Sequence, residues 1–536
     1  LDNIYELALE IVLEMDKLSE TREYQIMAFD FMERSKEANL LLNISNRNAK
    51  RYGKVPNDLL NLERTLKIDI TNFQEQLNSL QATQSTDSAR LSSLSNSLLD
   101  DKLRLDSVIN VMEKQFPHYY DLKYNTKTLS LTDIQNKLQK NQVLLEYFDG
   151  DSTIYVCAIN RNDYLIHQFQ KDSAYRQSLK LFGDYFSNYG NQDKPDEKEV
   201  FGSAYQLYHY LIEQVNEVIP TSVDHLIVVP DAQLSMFPWS LFLKHPFKEQ
   251  STGFRDQHYL IKDHAMSYAY SSSTLFADKT SSNSSNAGLL AFAPSYSDQT
   301  INSYLPSIKN EMRGALSGLP YNNQELESIE AYFEGDYYFS DQASERNFKE
   351  KAGNSEVLHL AMHALVDHED PMLSKLIFQN STDSLEDGML HTYELFNMEI
   401  PAKMVVLSAC ETGAGKIRDG EGVMSLGRAF SYAGCPSVVM SQWSINDRST
   451  AELMASFYRY LSEGENKAQA LRKAQLDFLD KAPEIRINPY FWGGFAVFGD
   501  PEPIGSNRHY WFWVLGIGLV LITILIFVRK RRKAAS

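Results

Sequence analysis

The chain has 536 residues, of which 43% are hydrophobic and 12% aromatic, a composition that indicates a folded protein of several domains and excludes a disordered one. Its 52 basic and 70 acidic residues leave a net charge of −18, which argues against a nucleic-acid-binding protein because such proteins bind mainly by neutralising phosphates. Three cysteines, Cys157, Cys410 and Cys435, are too few for a disulfide framework and lack the spacing of a zinc ribbon.

The first region, residues 1–115, is predicted to be α-helical. Apolar residues recur there at helical spacing, for example at Leu66, Ile70, Phe73 and Leu77. Polar, Ser- and Asn-rich joints separate the helical stretches. We expect antiparallel helices of the kind that ends a helical repeat array, such as one of the tetratricopeptide type, although no second copy of a repeat is visible.

Strands replace helices after Gln142. The segment 143–169, VLLEYFDGDSTIYVCAINRNDYLIHQF, predicts three strands joined by the turn-forming clusters DGD and NRN. Cys157 lies inside the second of these strands, where we expect it to pack in the core. The elements predicted next are helices over 173–188 and 200–218 and a short apolar strand over 225–229.

Strands and helices alternate after the polar segment TSSNSSN. The predicted strands are GLLAFAPS, VLHLAMH, MVVLSAC, PSVVMSQW and FWGGFAVFG, and the predicted helices cover 323–333, 421–433 and 449–461. Such alternation predicts an α/β fold with a mostly parallel sheet and helices on both faces. The strands that end at His363, Cys410 and Trp443 would bring these residues to one edge of the sheet, where α/β proteins place their ligands.

Cys410 and His363 have the chemistry of a nucleophile and its base. A thiol is only partly ionised at neutral pH, so it needs a neighbouring base or cation to react well. An imidazole can accept the thiol proton and later protonate a leaving amine. Gly413 and Gly415 follow the cysteine and permit a tight turn whose N–H groups would face a developing oxyanion.

Other interpretations of these residues remain open. A lone buried histidine is more often a core residue than a catalyst, and this applies to His363 taken by itself. A metal site with His359 is disfavoured because four residues along a strand span about 13 Å. The helical zinc-protease motif also requires a Glu that HLAMH lacks, so we expect no metal and no cofactor. Cys435 is most simply a core residue before a buried strand.

Several long motifs together resemble the CHAT family of caspase-like cysteine peptidases, relatives of separase and the caspases. The motifs are VLHLAMHA, VVLSACETGAGK, EGVMSLGRAFSYAGCPSVVMSQWSIND and NPYFWGGFAVFGDP, with HLIVVPDAQLSMFPWSLFL and YLIKDHAMSYAYSSS upstream. The resemblance covers about residues 120–505. It implies a caspase-like α/β fold, with an inactive half over 116–300 and an active half over 301–505.

The resemblance also implies roles for individual residues. Cys410 would be the nucleophile and His363 the general base. The backbone N–H groups of Cys410 and Ala364 would hold the oxyanion, although the family usually has glycine where this chain has Ala364.

A carboxylate is expected in the substrate pocket. By resemblance to separase, Asp447 in SQWSINDRST would receive a basic P1 side chain, and a shielded acid is a natural partner for guanidinium. The alternative is that Asp447 caps the helix predicted to start near Ser449. Ser408, two residues before the cysteine, is small and neutral and supplies no second acid.

The segment Trp511 to Val528 has the composition of a transmembrane helix. Its 18 residues carry no charge, aromatic residues stand at one end, and the cationic run RKRRK follows at the other. We therefore expect a membrane-spanning helix over 510–528, a basic tail over 529–536 and a single-pass membrane protein anchored near its C-terminus. The basic tail favours a cytoplasmic C-terminus.

These patterns lead to a membrane-anchored cysteine endopeptidase that uses a Cys–His dyad and cleaves after Arg or Lys. Its expected partners are a protein substrate, a regulatory protein bound through the helical region and the membrane around 511–528, but no nucleic acid. The alternatives are a non-catalytic scaffold or signalling adaptor that retains the peptidase fold and an acyl-transferring enzyme with the same nucleophile.

Overall fold

A computed structural model describes most of the chain. The described residues are 2–19, 21–36, 57–82, 88–115, 128–187, 189, 195–248, 253–277, 287–296, 318–367, 373–379, 386–396, 398–408, 417–418, 422–423 and 426–505.

Four helices make up the described part of the N-terminal region. They are α1 (Asp2–Asp16), α2 (Glu23–Ser35), α3 (Asn57–Ala82) and α4 (Ser88–Gln115). Helix α1 packs against α2, and α3 packs against α4. The predicted N-terminal helices are therefore present, whereas the repeat array stays a prediction.

The next elements form one side of a large sheet. They are α5 (Leu131–Lys137), β1 (Gln142–Asp149), β2 (Thr153–Ile159), β3 (Tyr164–Gln170), α6 (Ser173–Ser187), α7 (Glu197–Leu211), β4 (His225–Val229), β5 (Ala265–Tyr268) and α8 (Ser272–Phe276). The three predicted strands and the DGD and NRN turns are confirmed, and the side-chain oxygen of Asn160 closes the second turn by accepting from the N–H groups of Asn162 and Asp163, both at 2.8 Å. The predicted helix over 200–218 is wrong in its second half, where a 3-10 helix covers Glu213–Val218.

The remaining elements form the other side of the sheet and a small antiparallel sheet beside it. They are β6 (Ala287–Ala293), α9 (Asn322–Glu330), β7 (Gly335–Phe339), α10 (Glu345–Lys351), β8 (Ser355–Leu360), β9 (His363–Leu365), β10 (Lys375–Ile377), β11 (Met389–His391), α11 (Thr392–Leu395), β12 (Met404–Leu407), β13 (Ile417–Arg418), β14 (Gly422–Val423), α12 (Leu426–Tyr432), β15 (Ser437–Ser441), α13 (Asp447–Ser462), α14 (Lys467–Lys481) and β16 (Phe495–Gly499).

The main sheet has 11 strands in the order β3-β2-β1-β4-β5-β16-β15-β12-β8-β6-β7. Neighbouring strands run parallel except for the pairs β3–β2, β2–β1 and β16–β15. The prediction of a mixed α/β fold with a large, mostly parallel sheet is confirmed. The division into an inactive caspase-like half (116–300) and an active one (301–505) stays a prediction.

Both faces of the sheet are covered, as continuous apolar strands require. Along β1, Val143 and Leu145 face one core, whereas Leu144 and Phe148 face another. This alternation follows from the two-residue period of a strand. The second core contains apolar residues of α1, α2 and α5, so the N-terminal helices cover one face of β1, β2 and β4.

A buried polar cluster also attaches α2 to the sheet. We call Glu33, Lys36, Glu146 and Ser272 the docking cluster. The Glu33 carboxylate accepts from the N–H groups that begin α8, at 3.2 and 2.9 Å, and the Lys36 ammonium donates to the carbonyl of Tyr147. Glu146 is fully buried, and one of its oxygens accepts from the Ser272 hydroxyl. Burial, followed by the neighbouring charge of Glu33, raises the pKa of Glu146 well above its ordinary value.

The predicted membrane localisation is contradicted. Among the described residues, no helix has both the length and the apolar composition needed to cross a bilayer. Helix α3 has 26 residues, enough to span, but carries charges throughout, including Asp58, Glu63, Arg64 and Lys67. The predicted span over 510–528 and the basic tail over 529–536 lie outside the described residues.

Candidate active site

The carboxyl ends of β8, β12 and β15 lie side by side. The register pairs Leu407 with Leu360 on one side and with Met440 on the other. The N–H of Ser408 donates to the Leu360 carbonyl at 3.0 Å, so the two chains remain adjacent one residue beyond β12. The predicted gathering of strand ends at one edge of the sheet follows directly from this parallel pairing.

His363 lies at this edge and is buried, with 3% of its surface exposed. Strand β8 ends at Leu360, earlier than predicted, and His363 instead begins β9, where it is paired with Ile377 of β10. Its N–H donates to the Tyr296 hydroxyl at 3.0 Å, and that hydroxyl donates to the carbonyl of Ile377. The two rings lie 4.5 Å apart between centroids. Tyr296 therefore fixes the backbone that carries His363.

Tyr296 was not found by sequence analysis. It stands just beyond β6 in the motif AFAPSY, at the same edge of the sheet as His363. Its position after an apolar strand was the available signal, and it is the same signal that identified His363.

Cys410 lies outside the described residues, and its role stays a prediction. It is three residues beyond Leu407, the last residue of β12, just as His363 is three residues beyond Leu360. Ala364, the other predicted oxyanion donor, lies in β9 opposite Leu376 and is buried.

Asp447 is the first residue of α13. The N-cap is the preceding residue, Asn446, whose side chain accepts from the N–H of Ser449 at 3.2 Å, so the alternative role of Asp447 as the cap is wrong. One oxygen of Asp447 accepts from the N–H of Tyr321 at 2.8 Å. Burial is the main cause that raises the pKa of Asp447; the nearby charge of Glu325 raises this pKa as well, and the bond from Tyr321 opposes both.

Asp447 lines a small cavity at the same edge. The cavity has a volume of about 30 Å³ and lies between the ends of β8, β12 and β15 and the helices α9 and α13. Its polar lining includes Asn322, Glu325, Ser408 and Asp447. A space of this size holds one or two water molecules, or the tip of a small polar side chain.

A chain of buried polar groups lies behind this cavity. One carboxylate oxygen of Glu325 on α9 lies 2.9 Å from Nε2 of His359, and Nδ1 of His359 lies 3.0 Å from the Tyr458 hydroxyl. All three side chains are buried. Both ring nitrogens of His359 thus have protein partners.

One group of carboxylates among the described residues has the geometry of a cation site. Glu345, Glu386 and Glu394 converge, but the ammonium of Lys349 lies 2.7, 2.6 and 2.7 Å from their oxygens. Lys349 therefore supplies the positive charge that such a cluster requires. Even so, burial raises the pKa of Glu345 to about 7.

The two other cysteines are core residues, as predicted. Cys157 is fully buried in β2, and burial raises the pKa of its thiol well above the ordinary value. The Cys435 thiol is buried and donates to the carbonyl of Ser437 at 3.2 Å.

Two groups of known proteins resemble parts of the chain. One similar structure is a chain of the separase–securin complex of Saccharomyces cerevisiae. The match covers 76% of the present chain and 34% of that chain, with a TM-score of 0.40 and 9% identity. In the complex of Porphyromonas gingivalis RgpB pro- and mature domains, the matched shares are 62% and 78%, with a TM-score of 0.33 and 11% identity.

Among curated proteins, human tetratricopeptide repeat protein 28 is 26% identical over 122 residues, which are 23% of this chain. The mouse protein of the same name is 25% identical over the same length. The chain spans about 5% of the length of these relatives.

A family model described as the CHAT domain matches residues 202–500. The match contains the whole of the edge described above, from the strand end at Tyr296 to Asp447 and β16. It covers more than half of the chain, which therefore belongs to the CHAT domain family.

Proposed function

We propose that the chain is a cysteine endopeptidase in which Cys410 is the nucleophile and His363 the general base. The observation that carries the proposal is the parallel register of β8 and β12, which pairs Leu360 with Leu407. His363 and Cys410 each follow three residues beyond this pair. Equal offsets from neighbouring parallel strands favour a short distance between imidazole and thiol.

The reaction would proceed in two steps. His363 accepts the thiol proton as the Cys410 sulfur attacks the scissile carbonyl carbon, and the resulting imidazolium protonates the leaving amine as the C–N bond breaks. Water then attacks the thioester carbonyl carbon while His363 accepts its proton; the C–S bond breaks, the carboxylic acid product leaves, and His363 returns the proton to the Cys410 sulfur. The bond from the His363 N–H to Tyr296 supports this role because it restricts the backbone that carries the base.

The geometry of β9 supports Ala364 as an oxyanion donor. Successive N–H groups of an extended strand point to opposite sides. The N–H of His363 points towards β10, where it meets the Tyr296 hydroxyl that bridges to Ile377. The N–H of Ala364 would then point away from β10, and we propose that it serves with the N–H of Cys410.

We further propose that Asp447 receives a basic P1 side chain, Arg or Lys. Its carboxylate lines the cavity at the edge of the sheet, and a half-buried acid attracts a cation more strongly than an exposed one does. Because Asn446 is the N-cap of α13, capping does not account for an acid at position 447.

We also propose that the helical region binds a regulatory protein. Helix α1 exposes Ile4, Leu7 and Ile11 at helical spacing, which is an apolar stripe on the side away from the core. A Leu7→Ser/Ile11→Ser double variant should lose a partner that copurifies with the unchanged chain. Retention of every partner would contradict this assignment.

The dyad is tested by labelling the full chain with a peptidyl-Arg electrophile. Labelling should vanish in Cys410→Ala, collapse in His363→Ala and persist in Cys435→Ala, the matched control in which a core cysteine is removed. Cleavage of a peptide with added amine would separate hydrolysis from acyl transfer. An unchanged label in Cys410→Ala would refute the nucleophile, and a chain that reacts with no electrophile would favour the scaffold function.

A further inference from the structure

The cavity beside the proposed dyad is lined by more than one acid. Asp447 reaches it from the start of α13, and Glu325 reaches it from α9 on the other side. Glu325 is 1% exposed, and it lies between the cavity on one side and His359, which pairs with one of its oxygens, on the other. The local sequence ELESIE has the pattern of an ordinary helix with a solvent face and does not mark Glu325 as buried.

The two carboxylates act on each other across this space. The charge of Glu325 is one of the causes that raise the pKa of Asp447. Two acids that share a shielded volume repel each other, and a cation placed between them removes that repulsion. Among the described residues that line the cavity there is no Lys or Arg to supply such a cation.

A third group in the lining also lacks a protein partner. The Ser408 hydroxyl is 8% exposed by residue and forms no hydrogen bond within the described structure. A buried hydroxyl without a partner is costly, so it points to water or to a ligand with an N–H donor. Ser408 precedes the proposed nucleophile by two residues in the sequence.

Glu325 is held firmly enough to act in recognition. Its oxygen lies 2.9 Å from Nε2 of His359, and His359 lies 3.0 Å from the Tyr458 hydroxyl. His359 is buried on β8 and Tyr458 is buried on α13, and these two elements also form walls of the cavity. His359 and Tyr458 are thus positioning residues for the carboxylate.

We propose that Glu325 is a second specificity-determining carboxylate, which binds the cationic end of a P1 Lys or Arg side chain together with Asp447 and the Ser408 hydroxyl. This inference rests on the proposed peptidase function. It adds to that function an acid on α9, outside the segment that follows β15. The volume of about 30 Å³ fits an ammonium group directly, whereas a guanidinium requires the lining side chains to move apart.

The test compares three electrophiles that differ only at P1, with Lys, Arg or the neutral isostere norleucine. The rate of Cys410 labelling is measured for the full chain, for Glu325→Gln and for Glu327→Gln, an exposed acid on the same helix that serves as the control. We expect Glu325→Gln to lower the rates with Lys and Arg by about tenfold or more, since a hydrogen bond to a charged group is lost. The norleucine rate and all rates of the control should stay unchanged.

Specific outcomes overturn the inference. Equal loss with all three probes would assign Glu325 a structural role only, and no loss would exclude it from the pocket. Asp447→Asn should show the same selective loss with the Lys and Arg probes, and no loss in this variant would exclude Asp447 from the pocket.

A second measurement separates this inference from the peptidase proposal. Acetyl-Lys-amide and acetyl-Arg-amide are added to the Cys410→Ala chain, and the thermal unfolding midpoint is followed with acetyl-norleucine-amide as reference. A rise with the basic amides that Glu325→Gln abolishes supports the pocket even if no electrophile labels the wild type. Absence of that rise, together with equal labelling by all three probes, refutes the pocket while leaving the dyad intact.

Discussion

The buried Glu146 in the docking cluster should make the stability of the chain depend on pH in a way that one substitution removes. Glu146 is fully buried, faces Glu33 and has its pKa raised well above the ordinary value by burial. Above the ordinary carboxyl pKa the unfolded chain loses this proton, whereas the folded chain keeps it. The folded state then binds more protons, so the free energy of unfolding falls as pH rises.

The size of this effect follows from proton linkage. A single proton changes the free energy of unfolding by about 1.4 kcal/mol per pH unit until the folded pKa is passed. Gln at position 146 keeps the bond from the Ser272 hydroxyl and can donate to Glu33, but it has no proton to lose. The difference between Glu146→Gln and wild type should therefore grow with pH, by up to about 3 kcal/mol between pH 5 and pH 7.

The measurement is urea unfolding of the full chain at pH 5, 6 and 7, followed by tryptophan fluorescence. Urea leaves electrostatic interactions unscreened. Trp239 is a suitable reporter because it is buried and its ring lies 4.7 Å from that of Tyr147, the neighbour of Glu146. Glu23→Gln, an exposed acid on α2, is the control. A difference between Glu146→Gln and wild type that stays constant with pH would refute the reasoning.

Three further substitutions test other parts of the structure by the same unfolding assay. Asn446→Ala should cost about 1 kcal/mol because it removes the cap of α13, and an unchanged free energy of unfolding would contradict that role. Lys349→Met should cost about 3–5 kcal/mol, partly recovered at pH 5 where Glu345 takes up a proton, and a neutral effect would mean that the three carboxylates do not depend on Lys349. Gly499→Ala should cost at least about 1 kcal/mol, since φ is +83° and the new Cβ would lie 2.2 Å from the Pro436 carbonyl oxygen; an unchanged midpoint would contradict this.

The elements that sequence analysis identified best are those whose pattern is local. The strand over 225–229 was predicted with its observed bounds because it is a short apolar run between turn residues. The helix predicted over 421–433 was too long, because Gly422 and Val423 pair with β13 instead. The strands β9, β10 and β11 were not predicted as separate strands, because a three-residue strand is too short to show a period.

Residues of the candidate site could be predicted from the sequence only where a chemically reactive side chain stands at the end of a predicted strand. His363 met both conditions. Tyr296 and His363 are 67 residues apart and meet because β6 pairs with β8, a contact that no local pattern encodes. Glu325 was missed for a related reason: its helix has polar residues on several faces, and only packing against His359 decides which of them is buried.

The position of β16 affects how the chain must be made. This strand occupies the centre of the sheet, between β5 and β15, yet more than two hundred residues separate it from β5. At a synthesis rate of about 5–20 residues per second, β16 is synthesised on the order of ten seconds or longer after β5, and the edge of β5 that pairs with β16 stays unpaired during that time. An unpaired strand edge invites pairing with other chains during that time. A chaperone that shields β5 until residue 499 has been synthesised would therefore raise the yield of folded protein more than one acting after release.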